Sequence, residues 1–152
     1  MFNRNLMFSS KTDNWRTPTD MLRALNQEFP FDFDPCPYVD ADDDRAQNGL
    51  NIDWEGKCIF VNPPYNRKYS KLWVKKGLDE SRKGKTVVML LPARTDTKYF
   101  HDYVLPNAEI RFIRGRLKFS GHHNPAPFPS MLAIFHGDPK REISYQYQLN
   151  HN

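Results

Sequence analysis

Thr86-Val87-Val88-Met89-Leu90-Leu91 is followed at once by Pro92. No alternation of polar and apolar residues runs through this stretch. It therefore predicts a strand covered on both faces, the usual state of a strand inside a parallel sheet flanked by helices. Upstream, Leu72, Trp73, Val74 and Leu78 recur at helical spacing among lysines, and Gly84 closes that helix. Cys58-Ile59-Phe60-Val61 is a second short apolar run and a second strand. Downstream, 98–105 predicts a short helix that Asp96 could cap, and 109–114 and 130–135 predict two further strands.

Towards the amino terminus, Thr17 reads as a helix N-cap with Pro18 in the first helical position and Asp20 at the positive helix end. Met21, Leu22, Leu25 and Phe29 follow on one face of that helix. Phe31-Asp32-Phe33-Asp34 alternates as a short strand and ends at Pro35-Cys36-Pro37. The resulting pattern of strand, helix and strand predicts an α/β domain. Its expected sheet is mostly parallel, with about five strands (31–34, 58–61, 86–91, 109–114 and 130–135) and flanking helices. Ligands in such sheets bind beyond the carboxyl ends of the strands, which brings the loops after Asp34, Val61 and Leu91 to one crevice.

With 152 residues the chain has room for one core. Residues 1–14 read as a flexible arm, 15–137 as the folded domain and 138–152 as a polar tail. No apolar run reaches the length of a membrane span, and nothing resembles a signal peptide, so no membrane partner is expected. Cys36 and Cys58 make neither a disulfide framework nor a metal site, so no metal is expected and a cytoplasmic location is. The net charge of +4 favours a polyanionic partner.

Asn62-Pro63-Pro64-Tyr65 follows the strand 58–61 directly. Two consecutive prolines cannot donate to a ladder, so the strand stops and a rigid turn begins. That turn presents an amide side chain, a bare carbonyl and an aromatic ring together, which suits a planar group bearing an NH2. A rigid loop with no ligand would use the same residues.

These residues carry a resemblance. Asn62-Pro63-Pro64-Tyr65 looks like the NPPY catalytic motif of amino-group methyltransferases that use S-adenosyl-L-methionine. Further matches are Thr17-Pro18, Phe33-Asp34-Pro35-Cys36, Pro92-Ala93-Arg94-Thr95-Asp96-Thr97, Arg114-Gly115-Arg116-Leu117-Lys118-Phe119 and Ala126-Pro127-Phe128-Pro129-Ser130. Together they resemble the phage-type DNA N6-adenine methyltransferases (the phage Dam family) over roughly residues 15 to 136. The resemblance implies a reduced Rossmann-like methyltransferase fold, S-adenosyl-L-methionine as cofactor, and DNA, expected to be double-stranded, as partner. A bacteriophage or prophage protein working in the host cytoplasm fits this picture.

Residue by residue, the resemblance makes Asn62, Pro63, Pro64 and Tyr65 catalytic. It places Thr17, Pro18, Asp34, Pro35, Cys36, Asp53 and Asn62 at the cofactor. Asn62 Oδ1 and the Pro63 carbonyl would accept hydrogen bonds from adenine N6, and Tyr65 would stack on the extruded base. This chain departs from the pattern in two respects. Residues 34–37 contain no glycine, and too few residues separate Asp34 from Asn62 for the usual intervening crossover units. The acidic residues 40–44 read first as a solvated loop and second as a source of a ribose ligand.

For DNA, the candidates are Arg67, Lys68, Arg94, Lys98, Arg114, Arg116, Lys118, His122 and His123, with Arg111 in the same basic stretch. Phosphate contacts from such residues supply affinity without sequence information. No separate recognition domain fits in the chain, so base readout falls to these loops, the arm before residue 15, or a second subunit in a homodimer. Trp15, Trp54 and Trp73 read as packing residues and Cys36 as a small buried one. Two alternatives stay open: methylation of an RNA base or a protein glutamine amide, and a degenerate DNA-binding protein without activity.

Overall fold

The computed structural model describes residues 15–37 and 44–137. The expected arm, the polar tail, and Asp40, Asp42 and Asp43 of the acidic cluster lie outside the described residues. The order of elements is α1 (Thr19–Glu28), a 3-10 helix (Asp44–Asn51), β1 (Cys58–Val61), α2 (Arg67–Ser81), β2 (Thr86–Pro92), a π-helical turn (Phe100–Val104), β3 (Glu109–Phe112) and β4 (Ser130–Phe135). Among the described residues no helix is long and apolar enough to cross a membrane.

Among the described residues, one four-stranded sheet of order β1-β2-β4-β3 organises the fold. β1 pairs with β2 in parallel, while β4 is antiparallel to both β2 and β3. The expectation of a mostly parallel, five-stranded sheet is therefore corrected. β1, β2 and β3 run in one direction, and β4 is reversed and inserted between β2 and β3. An apolar run looks the same in either direction, so its residues could not announce the reversal.

The expected first strand is corrected too. Residues 31–34 make a single parallel bridge, Phe33 with Ile59, supported by Asp32 N to Cys58 O at 2.9 Å and Phe60 N to Phe33 O at 3.2 Å. The Asp32 carboxylate meanwhile accepts from the backbone amides of Lys57 and Cys58. It ties this segment to the start of β1 instead of extending a ladder. The backbone still runs alongside β1, which delivers Asp34 to the carboxyl edge of the sheet.

Both faces of the sheet are covered. Ile59, Val61, Val87, Met89, Leu91, Met131, Ala133 and Phe135 point to the α2 side with Trp54, Trp73, Val74 and Leu78. Cys58, Phe60, Val88, Leu90, Leu132 and Ile134 point to the α1 side with Leu22, Leu25, Phe29 and Phe119. Trp54 and Trp73 are packing residues, as expected: both are fully buried, and their ring N–H groups donate to the Gly49 carbonyl (2.8 Å) and Gln47 Oε1 (2.9 Å). Removing either ring would cost about 3–5 kcal/mol. A Cβ at Gly49 would run into the Pro35 carbonyl and the Trp73 ring, so this close approach requires glycine.

At the amino edge of the sheet, the Glu80 carboxylate is fully buried and accepts from Lys76 (3.0 Å), Lys83 (3.1 Å) and Lys85 (3.1 Å). Its second partner type is the Trp54 backbone amide at 3.3 Å. Burial alone would raise its pKa. The three lysines and the amide outweigh that and hold it near 2.

Candidate active site

The strand directions converge four segments on the carboxyl edge: 34–37 after the single bridge, 62–66 after β1, 93–98 after β2 and 113–129 after β3. Arg16, Thr17, Asp34, Cys36, Pro37 and Asn62 line a cleft there. The crevice expected from the strand ends thus receives the segments of Asp34 and Asn62 side by side.

Asn62 is buried at the mouth of β1. Its Nδ2 donates to the Trp15 carbonyl at 2.6 Å and to Thr17 Oγ1 at 3.0 Å. A carbonyl can only accept, so the orientation of the amide follows from the network. Oδ1 is turned the other way and meets no donor among the described residues. A buried acceptor left open costs about 1–3 kcal/mol, the kind of deficit a ligand's N–H would remove.

Thr17 is therefore not the N-cap. α1 begins at Thr19, Pro18 holds the cap position without a side-chain bond, and the Thr17 hydroxyl is spent on Asn62 instead. Likewise the capping role expected of Asp96 falls to Thr97, whose Oγ1 accepts from Phe100 N at 3.4 Å.

Asp34 accepts a 2.9 Å bond from the Cys36 backbone amide. Burial nevertheless dominates and pushes its carboxyl up to about 7, with that amide opposing. The same burial, with Asp34 beside it, holds the Cys36 thiol well above its ordinary value. Cys36 is thus a buried, protonated thiol whose Sγ faces the Ala46 carbonyl.

Tyr65 is half-buried. Its hydroxyl donates to the Leu90 carbonyl at 3.3 Å, and its ring meets Phe119 and Phe128 edge-on at 6.2 and 5.6 Å. Trp15 joins the same aromatic cluster, edge-on to Phe119 and Phe128 and stacked on His122 at 4.7 Å and 16°. Trp15 packs, as expected, but its carbonyl also orients Asn62, which no local pattern announces. Phe119 and Phe128 stand in motifs that mark the site region, yet their contact with Tyr65 needs the folded loop.

Arg67 and Lys68 begin α2 after its N-cap Asn66, and Arg94 and Lys98 follow β2; all four are exposed. Arg114, Arg116, Lys118 and His123 are exposed on the 113–129 loop, whereas His122 is engaged by Trp15. Arg111 is corrected: it forms a two-pronged pair with Glu28 (2.6 and 2.8 Å) and bonds Glu109 at 2.6 Å. Asp53 is not brought to the cluster. It lies near the amino edge of the sheet, exposed, 3.7 Å from Lys83.

Comparison with known proteins identifies the family. A family model described as DNA N-6-adenine-methyltransferase (Dam) matches residues 5–148. A DNA N-6-adenine-methyltransferase of Haemophilus phage HP1 is 31% identical over 145 residues, covering 86% of this chain and 82% of the relative. One of Escherichia phage T1 is 25% identical over 138 residues, covering 86% of this chain and 57% of the relative. No solved structure gives a significant match.

Proposed function

The chain belongs to the DNA N-6-adenine-methyltransferase (Dam) family, and we propose that it transfers a methyl group from S-adenosyl-L-methionine to N6 of adenine in double-stranded DNA, with Asn62 as the central catalytic residue. The observation that carries this reading is the Asn62 amide. Its NH2 is fully occupied within the protein, and its oxygen is buried, open and at the carboxyl edge of the sheet.

The lone pair of an adenine amino group is delocalised into the ring, so N6 is a weak nucleophile. Oδ1 of Asn62 accepts one N6–H and the carbonyl of Pro63 accepts the other. Both bonds grow stronger as the nitrogen becomes tetrahedral and acidic, so they favour the transition state over the ground state. Pro63 and Pro64 restrict the turn that carries the two acceptors. Tyr65, with its hydroxyl tied to Leu90 and its ring held by Phe119 and Phe128, offers an aromatic surface of defined orientation to the extruded base. Transfer then depends on positioning, and no strong general base is needed.

The cofactor, when bound, supplies an electrophilic methyl group on a cationic sulfonium. The residues present fit such a group. Asp34 is an acid held partly protonated by burial, with one amide on its carboxyl, and a cation beside it would restore its charge. Thr17, Pro18, Pro35 and Cys36 would complete the cofactor's surroundings. Arg67, Lys68, Arg94, Lys98, Arg114, Arg116, Lys118 and His123 would follow the DNA backbone around this edge, with base readout left to the loops. The host cytoplasm is the proposed place of action.

The test is transfer of labelled methyl from S-adenosyl-L-methionine to unmethylated DNA, with RNA and a protein extract alongside. N6-methyladenine should form in the DNA. Label appearing in RNA or protein alone would redirect the substrate assignment, and failure of calorimetry to detect cofactor binding would leave a DNA-binding protein without activity.

A further inference from the structure

On that reading of the reaction, we infer that the strap of residues 15–17 is the positioning element for Asn62, with Thr17 and Ser120 as its two positioning side chains. The terminal torsion of an asparagine is soft and nearly two-fold. Turned over, the amide would present NH2 to adenine N6, donor against donor. The Trp15 contact forbids this, because a carbonyl can only accept, and the Thr17 contact holds the second amide hydrogen in place. The Trp15 carbonyl at 2.6 Å accepts one amide hydrogen, and Thr17 Oγ1 at 3.0 Å accepts the other.

The strap is in turn held by one loop. Arg16 and Ser120 form an antiparallel bridge, with Ser120 N donating to the Arg16 carbonyl at 3.0 Å. Ser120 Oγ donates to the Thr17 carbonyl at 3.2 Å. Trp15 stacks on His122 and meets Phe119 and Phe128 edge-on. Every one of these partners lies in segment 113–129, which also exposes Arg114, Arg116, Lys118 and His123. The loop that offers cations to the DNA backbone thus also sets the strap that aims the catalytic amide. Phosphate contacts that order this loop would order Asn62 through Thr17.

The experiment compares wild type with Thr17→Val, Thr17→Ser and Ser120→Ala. It measures kcat and KM for unmethylated DNA, cofactor affinity by calorimetry, and thermal midpoint. Thr17→Val keeps the side-chain shape and removes the acceptor. With cofactor saturating, it should lower kcat roughly tenfold or more, the scale for loss of an orienting partner, a fall larger than any loss of cofactor affinity at this cofactor-lining residue accounts for, while KM for DNA changes less than about twofold. Thr17→Ser should restore kcat, which excludes loss of fold as the cause. Ser120→Ala should lower kcat by roughly threefold or more in the same pattern. Unchanged kcat in Thr17→Val, or a loss of cofactor affinity that accounts for the whole fall in activity, would overturn the strap. Absence of transfer by the wild type would instead overturn the reaction itself, so the two failures are distinguishable.

Discussion

The side-chain amide nitrogen of Asn62 lies 2.6 Å from the backbone carbonyl of Trp15, a residue far from it in the chain. That contact decides which atom of the Asn62 amide is left without a partner. It also decides which residue type position 62 accepts, because an acceptor is fixed in front of it.

Asn62→Asp is nearly isosteric and supplies a stronger acceptor to adenine, so a simple acceptor role predicts retained activity. Here a carboxylate oxygen would face the Trp15 carbonyl. We predict that transfer falls roughly 10²- to 10³-fold, the scale for a displaced catalytic hydrogen-bonding group. Stability should fall by about 1–3 kcal/mol from the unpaired carbonyl. Rates and thermal melts check both, and an active Asn62→Asp protein would refute the orienting role of Trp15.

Asp34 sets a pH dependence. Burial raises its folded-state pKa from 3.8 to about 7. Below 3.8 it is protonated whether folded or unfolded, so it adds nothing there. Above that the unfolded chain ionises first, and the group increasingly favours unfolding until pH passes about 7. A cationic cofactor prefers the ionised form. Affinity for S-adenosyl-L-methionine should therefore strengthen as pH rises through about 7, and Asp34→Asn should flatten that profile. Calorimetry across this range is the check, and an identical slope in the variant would exclude Asp34.

The arginines of the distal strand and loop should separate. Arg114 and Arg116 are exposed beyond β3, whereas Arg111 is paired with Glu28 and Glu109. Replacing Arg114 and Arg116 by alanine should weaken DNA binding and reduce the salt slope by about 1 for each phosphate that is no longer neutralised. Arg111→Ala should leave that slope unchanged and cost about 1 kcal/mol of stability. Binding isotherms at several salt concentrations would show whether this assignment fails.

Glu80 should govern acid stability. Its carboxyl is held near 2 against an ordinary 4.5, so its contribution is complete above about 4.5 and is lost as pH falls towards 2. Glu80→Gln leaves Lys76, Lys83 and Lys85 around a neutral amide and should cost about 3 kcal/mol at neutral pH. The variant should also lose part of the acid-induced fall in stability. Urea unfolding at pH 3 and pH 7 measures this, and an equal fall between the two pH values in both proteins would exclude Glu80 as the cause.

Much of the scaffold was legible in short-range pattern. The runs at 58–61, 86–91 and 130–135 are strands because they are apolar on both faces, and both faces are in fact covered. What stayed hidden depends on partners distant in the chain. The direction of β4 is set by its neighbours β2 and β3, and nothing inside Ser130–Phe135 encodes it. Residues 31–34 look like a strand, yet the Asp32 carboxylate is diverted to the start of β1. Thr17 has the chemistry of an N-cap, and only the fold shows that Asn62 takes its hydroxyl. Arg111 and Arg114 look alike in a basic stretch, and only Glu28, brought alongside from α1, tells them apart. The end of β1 before Asn62 was readable because two prolines follow at once, whereas the supports of Asn62 from Trp15, Thr17 and Ser120 lie far away in the chain.

The most direct measurement is the amount of N6-methyladenine formed in unmethylated DNA by wild type and Asn62→Ala, each incubated with S-adenosyl-L-methionine. Wild type should deposit the mark. Asn62→Ala should fall at least about 100-fold while keeping cofactor affinity within a few-fold. A wild type that methylates no adenine, or an Asn62→Ala protein working at near wild-type rate, would contradict the assignment.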